Sequence, residues 1–330
     1  MKSGTLLLTR RDVAALLNIE ECTDAVERVF RMYGEGKTEP PGLLGVHAKD
    51  GGFHIKAGVL DLDRPYFAAK INANFPDNPK RLRLPTIQGV IVLSDAENGY
   101  PLAVMDSTEI TSQRTAAATA VAARYLARPE SKTLTICGCG NQGRVSLRAL
   151  RNLFPLERVF AYDVDSLKSQ QFAADLSAEM AVPITPVAQV GDAVAQSDIC
   201  ITCTPSKQFF LKAEHIAPGT FIAAVGADNE EKQELDPTLL GQSKLVADVV
   251  EQCATIGELH HALQARVMTK EQVHAELGEV VAGAKGGRTM SEDIIIFDST
   301  GMALQDVVTA AFVYEKAKRD DVGTVIELID

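Results

Sequence analysis

The chain has 330 residues, 46% of them hydrophobic and 23% charged, with a formal net charge of −11. That length predicts two domains with ample core, and the acidic balance excludes nucleic acid or an anionic membrane as the main partner. Trp is absent and aromatic residues make up 5%, which excludes a base-stacking platform. The start, Met1-Lys2-Ser3-Gly4, leads into only a short apolar run, and no apolar stretch exceeds strand length. The expectation is therefore a cytoplasmic protein with no leader and no membrane segment.

Residues 9–17 predict a helix capped by Thr9, with Asp12 at the third position. A second helix, capped by Thr23 or Asp24, carries Val26, Val29, Phe30 and Tyr33 and closes at Gly34 and Gly36. After the break at Pro40-Pro41-Gly42 the texture changes to short strands, at 45–47, 53–58 and 66–72. Strands at 87–94 and 101–106 flank Asn98-Gly99, a hairpin signal. This third of the chain predicts an α+β unit on an antiparallel or mixed sheet. An alanine-rich helix over 112–126 leads out of it.

Next comes Leu134-Thr135-Ile136-Cys137-Gly138-Cys139-Gly140-Asn141-Gln142-Gly143, an apolar strand running into Gly-x-Gly-x-x-Gly and then a helix. This order is the dinucleotide-binding fingerprint. Gly138 permits the tight turn, Gly140 lets the backbone approach a pyrophosphate, and Gly143 lets the helix pack on the strand. The helix N-terminus then faces the phosphates with its positive end. A second strand, 158–162, ends in Asp163, whose carboxylate can accept from ribose hydroxyls and would repel a 2′-phosphate. The cofactor expected is NAD rather than NADP.

The alternation continues with a helix at 166–180 and strands at 184–187, 199–203, 221–226, 244–249 and 294–297, and a last helix spans 301–317. This rhythm predicts a doubly wound parallel sheet covered on both faces. The six cysteines, at 22, 137, 139, 200, 203 and 253, are expected to be small buried hydrophobes. No metal site is expected.

In such a sheet ligands bind beyond the carboxyl ends of the strands. The candidates there are Thr204, Asp228 and the run Asp298-Ser299-Thr300-Gly301. Asp228 follows a strand-end glycine, and the same pattern reads equally well as the cap of a helix over 230–235. Upstream, Lys56, Lys70 and Arg114 stand in apolar settings. A positive charge in such surroundings calls for an anion, and a substrate carboxylate qualifies. Taken singly, each is more often a surface residue with a buried stem.

The runs from Lys70 to Asn78, Leu84 to Gly89, Asn98 to Ala103 and Thr111 to Ala117, followed by the glycine turn, Ala224-Val225-Gly226-Ala227-Asp228 and Phe297-Asp298-Ser299-Thr300-Gly301, resemble the ornithine cyclodeaminase/μ-crystallin family in order and content. The resemblance implies a homodimer with a substrate-binding and dimerisation domain (1–118 plus 303–330) and a Rossmann domain (119–302). It implies hydride transfer between nicotinamide and the α-carbon of an amino or imino acid. By motif it places Lys70 and Arg114 on the substrate carboxylate and Asp228 on the substrate amine. Thr115, Asn141, Gln142, Asp163 and Ser299 fall to the cofactor. The segment 40–46 lacks the basic residue many members carry, and His54 stands where cyclodeaminases have Glu. Lys56 is therefore expected to replace the missing cation. The balance favours an amino-acid dehydrogenase or ketimine reductase over a cyclodeaminating lyase or a non-catalytic NAD(P)-binding protein.

Overall fold

The box at Thr9 forms in the computed structural model, which describes residues 4–328. Strand β1 (Thr5–Leu8) precedes helix α1 (Arg10–Leu16), and the Thr9 hydroxyl accepts from the Asp12 N–H while the Asp12 carboxylate accepts from the Thr9 N–H. Helix α2 (Ile19–Gly34) begins earlier than its pattern indicated. Asn18 is the cap, accepting from the Glu21 N–H at 2.9 Å, whereas Thr23 lies inside the helix and donates to the Ile19 carbonyl. The buried stripe of Cys22, Val26, Val29 and Phe30 follows helical spacing.

The chain divides into two units, one comprising residues up to Arg114 with those from Met302 onward, the other Thr115–Gly301. In the first, β2 (Gly42–Ala48), β3 (Gly51–Asp61) and β4 (Pro65–Asn74) are longer than expected, and β5 (Ile87–Asp95) and β6 (Pro101–Asp106) join at Gly99 with φ of +79°. The sheet order is Thr324–Ile326, β1, β6, β5, β4, β3, β2. Only β1 and β6 pair in parallel, so the sheet is mixed. Neither β1 nor Thr324–Ile326 was legible, since each is held only by partners distant in sequence.

A closing helix, Ala303–Arg319, covers one face of β3 and β4 and packs on α2. A side chain at Gly58 would meet Leu304 at 2.8 Å, and Tyr66 donates to Glu315 at 2.6 Å. The other face of the sheet is apolar and open. Register pairs Val46 with Phe53, Leu44 with Ile55, and Ile71 with both Ile55 and Val90. Of these Leu44, Val46, Phe53, Ile71 and Val90 are exposed.

Helix α3 (Ser107–Leu126) starts before residue 112 because the Asp106 carboxylate accepts the N–H groups of Thr108 and Glu109. Arg114 thus lies within the helix rather than at its start.

The second unit is a Rossmann-type sheet. Strands β7 (Thr133–Cys137), β8 (Arg158–Tyr162), β9 (Ile184–Pro186), β10 (Ile199–Thr202), β12 (Phe221–Ala224), β14 (Lys244–Ala247), β15 (Ala275–Glu276) and β16 (Ile295–Asp298) pair in parallel in the order β15-β14-β16-β12-β10-β7-β8-β9. Strand order reverses between β7 and β10, the switch point where such sheets bind ligands. Helices α4 (Asn141–Arg151) and α5 (Ser166–Met180) follow β7 and β8, and β10, β12 and β16 are buried throughout. A small sheet pairs β11 (Lys207–Leu211) with β13 (Gln233–Leu235), and short helices fill 237–281, a region where sequence spoke only for one strand. Among the described residues no helix is long and apolar enough to cross a membrane.

Candidate active site

The glycine turn lies at the end of β7. Gly138 has φ of +104°, and a side chain there would stand 2.8 Å from the Cys203 carbonyl oxygen. At Gly143 a side chain would stand 2.3 Å from the Gly138 carbonyl, which explains the close seating of α4 on the strand. Gly140 caps α4 without a side chain, and an added Cβ there would meet nothing within 4 Å. The helix N-terminus therefore opens onto free space, the arrangement an anionic pyrophosphate requires. Asp163, half-buried after β8, accepts the Cys139 N–H on Oδ2 and the Asp165 N–H on Oδ1, each at 3.0 Å. These two bonds fix the carboxylate beside the turn, and the next residue, Val164, is 92% exposed and brings no cation. The residues present fit a dinucleotide.

Asn141 and Gln142 form the first turn of α4. Thr204 follows β10, and its N–H donates to Glu234 at 2.6 Å. Ser299 follows β16, and its hydroxyl donates to Asp248 at 3.2 Å. These groups stand at the carboxyl ends of three strands of one sheet. Thr115 is in α3, half-buried, and its carbonyl accepts from the Thr119 hydroxyl.

Asp228 lies in the loop between β12 and β13. No helix follows it, so the capping alternative is corrected: residues 233–235 pair as strand with β11, and it is Asn229 whose side chain accepts the N–H groups of Glu231 and Lys232. The Asp228 carboxylate is 2.6 Å from the Lys232 ammonium, and its side chain is 45% exposed.

Sequence reasoning missed the carboxylates that hold these loops. Glu234 accepts the N–H groups of Thr204 and Gly226, Glu258 those of Glu234 and Leu235, and Asp298 those of Glu258 and Leu259. Asp248 accepts from Gly301 N–H at 2.6 Å and from the hydroxyls of Ser299 and Thr300. All four acids are fully buried. Burial raises the Glu234 carboxyl, raises that of Glu258 further with help from Glu234 and Asp298, and lifts Asp298 to about 7. Asp298, read as a strand-end candidate, thus faces inward and braces the backbone. A signal existed in Asp248 and Asp298, each an acid that follows three apolar strand residues.

In the first unit the three basic candidates converge. Lys56 and Lys70 stand opposite one another on β3 and β4. Lys70 is 3% exposed, Arg114 5% and Lys56 7%, so none is a surface residue with a buried stem. The counter-charge shared by Lys70 and Arg114 is Asp306, on the closing helix: Oδ2 lies 2.7 Å from the Lys70 ammonium and Oδ1 accepts from Arg114 Nε at 3.0 Å. Gln305 accepts from Arg114 through Oε1 at 3.2 Å. Two buried cations, Lys70 and Arg114, thus share one acid. Burial, then Arg114, pushes the Lys70 ammonium down to about 7 against the opposing pull of Asp306. Burial raises the Asp306 carboxyl, but Lys70 and Arg114 outweigh it and hold it below its ordinary value. Gln305 and Asp306 were not foreseen; the clue was a polar pair at the buried head of the closing helix.

All six cysteines are free, and burial pushes the thiols of Cys22 and Cys139 up to about 12. Among the described residues no group of three or more His, Cys, Asp or Glu is arranged to hold a metal ion.

Residues 3–321 match the family model described as ornithine cyclodeaminase/mu-crystallin. The chain is 40% identical over 323 residues to an alanine dehydrogenase of Archaeoglobus fulgidus, covering 98% of both chains. It is 33% identical to an iminosuccinate reductase of Paracoccus denitrificans, covering 98% of this chain and all of that one. Among solved structures, an archaeal alanine dehydrogenase dimer with bound NAD superposes with a TM-score of 0.94 at 39% identity, over 98% of this chain and 99% of that one. The Thermococcus litoralis Δ1-pyrroline-2-carboxylate reductase, in complex with NADH and L-proline, gives 0.92 at 34% identity, over 98% and 100%. With the glycine turn, the strand order and these matches in agreement, the chain belongs to the ornithine cyclodeaminase/mu-crystallin family.

Proposed function

We propose that this protein is an NAD-dependent oxidoreductase acting at the α-carbon of a small amino acid or cyclic imino acid, as a dehydrogenase or ketimine reductase. The observation that carries this is the pairing of two buried cations, Lys70 and Arg114, with one acid, Asp306, with Lys56 opposite Lys70, in a chain that also holds a dinucleotide turn with a fixed Asp163. A buried excess of positive charge is costly unless an anion completes it. The α-carboxylate common to amino and imino acids is such an anion, and the relatives' names fall in that class.

The residues divide the work as follows. Gly138, Gly140 and Gly143 admit the pyrophosphate, and Asp163 accepts the adenosine ribose hydroxyls. Thr115, Asn141, Gln142, Thr204 and Ser299 supply further contacts to the cofactor. When bound, NAD supplies the hydride-accepting centre, or the hydride-donating one in its reduced form. Lys70 and Arg114, with Lys56, hold the substrate carboxylate and fix its α-carbon. Asp228 takes the proton of the substrate ammonium in the oxidative direction and returns it in the reductive one.

The test is a spectrophotometric panel: amino acids with NAD, cyclic imines and 2-oxo acids plus ammonia with NADH and NADPH, and ornithine with catalytic NAD. Nicotinamide turnover with small amino or imino acids is expected. Proline and ammonia from ornithine without net NADH would assign a lyase instead, and silence across the panel would remove the enzyme reading.

For the cofactor, Asp163→Ala is expected to weaken NADH binding about 10–100-fold, from the loss of charge-assisted bonds to the ribose, without weakening NADPH. Fluorescence titration of both nucleotides checks this, and equal wild-type affinity for the two would sink the assignment.

The chain acts as a homodimer through the open apolar face of β2–β5. Exposed Leu44, Val46, Phe53, Ile71 and Val90 on one face support this, since a monomer rarely leaves so continuous an apolar patch in water. Ile71→Asp with Val90→Asp is expected to give a monomer by light scattering, and an unchanged mass would move the interface elsewhere.

A further inference from the structure

Gln305 holds an amide whose orientation is fixed by its neighbour. Arginine has donors and no acceptor. The oxygen, Oε1, must therefore be the atom facing Arg114 Nη1, and the structure places it there at 3.2 Å. The other end of the amide, Nε2, is then a donor pointing away from Arg114. It has no acceptor among the described residues, and Gln305 is 0% exposed. Turning the amide over would set donor against donor and leave Oε1 unpaired instead.

Buried donors are satisfied in the great majority of cases, and an orphan needs an explanation. Helix capping does not supply one. Gln305 is the third residue of the closing helix, where a glutamine side chain often reaches back to the cap, but no side chain caps this helix. Charge does supply one. The same amide touches the guanidinium that shares Asp306 with Lys70. The missing partner is an acceptor, and the group this cluster attracts, a carboxylate, presents acceptor oxygens only.

We propose that Gln305 is a substrate-contact residue, whose Nε2 donates a hydrogen bond to an oxygen of the carboxylate that Lys70 and Arg114 bind. This deepens the reading above and rests on its carboxylate clamp, though not on its redox chemistry. Gln305 is a neutral donor among cations. It adds direction where they add attraction, and it favours an oxygen acid held in one orientation over any compact anion.

The experiment uses the purified full-length chain without added nucleotide, with pyruvate as probe and its neutral amide, pyruvamide, as control. Binding is read by calorimetry and by the shift in thermal midpoint. Three variants are compared with the parent. Gln305→Leu removes both ends of the amide, and Gln305→Met does so with an unbranched chain should the first fold poorly. Gln305→Glu keeps an acceptor for Arg114 but replaces the donor with a negative charge.

The expected result is that pyruvate stabilises the parent, and that the Leu or Met variant binds it about tenfold more weakly. The Glu variant loses pyruvate binding by at least about 100-fold, because a carboxylate then faces a carboxylate. A residue that merely positions Arg114 would be rescued by Glu, so retained binding in that variant overturns the proposal. Equal pyruvate affinity in the parent and the Leu or Met variant overturns it too. So does a parent that pyruvamide stabilises as well as pyruvate, or that pyruvate does not stabilise at all, whatever the nicotinamide panel shows. A silent panel with pyruvate binding lost on substitution removes the enzyme assignment and leaves Gln305 as an anion contact.

Discussion

Asp228→Asn is expected to lower kcat by about 10²–10⁴-fold while the Kd for NADH stays within about twofold, the range for losing a positioned general base. Asparagine keeps the size of the side chain and removes its basicity. The loop that carries Asp228 has supports besides that charge. It is set by Asn229, which binds the N–H groups of Glu231 and Lys232, and by Glu234, which grips the Gly226 N–H at 3.0 Å. The rival role for Asp228 is to pair with Lys232 at 2.6 Å. That pair is part-exposed, so as a structural contact it contributes at most about 1 kcal/mol, or roughly fivefold. Lys232→Met separates the two roles: if pairing were the whole purpose, it would lower kcat as much as Asp228→Asn does. The kcat–pH profile gives a second readout, since its acid limb should vanish in Asp228→Asn and persist in Lys232→Met. A kcat for Asp228→Asn within threefold of the parent takes Asp228 out of the chemistry.

What was legible in the chain was local. The glycine turn, the Thr9 box and the Ser166–Met180 helix are written in a few consecutive residues, and they form where the pattern puts them. Asp163 was also readable, because a βαβ unit fixes how far the second strand lies from the turn. Elements defined by distant partners were not. Strand β1 has no alternation and gains its hydrogen bonds from β6 and from Thr324–Ile326. The start of α2 was misplaced because Asn18 and Thr23 are both acceptable caps, and only packing of the stripe chooses. Lys56, Lys70 and Arg114 announced themselves as charges in apolar runs, but each alone has a commoner explanation, and their convergence needs the β3–β4 register and Asp306. The four acids behind the strand ends were hidden for a related reason. Their partners are mainly backbone N–H groups of other loops, which carry no residue-type signal.

Arg114→Met is expected to raise KM for the substrate about 10²–10³-fold and to lower stability by about 3–5 kcal/mol. The first follows from removing one partner of a buried, charge-assisted contact. The second follows because Arg114 donates to both Asp306 and Gln305, and breaking a buried ion pair from one side leaves these partners short of a contact. The two losses have separate origins and separate remedies. In Lys70→Met with Arg114→Met and Asp306→Asn the acid and both cations paired with it are gone, so most of the stability should return, because replacing a whole buried ion cluster by neutral groups is often near neutral. The substrate clamp does not return with it, and KM should stay at least as high as in the single variant. Arg114→Lys is the complementary case: it keeps the charge but loses the fork that reaches Asp306 and Gln305 together, so KM should rise less, about tenfold. Chemical denaturation and initial-rate kinetics on the same preparations measure both quantities. If that triple variant recovered KM along with stability, Lys70 and Arg114 would be braces for Asp306 with no contact to substrate. If the single variant kept its KM within twofold, the buried cluster would be a feature of the fold alone, and the carboxylate would have to bind elsewhere.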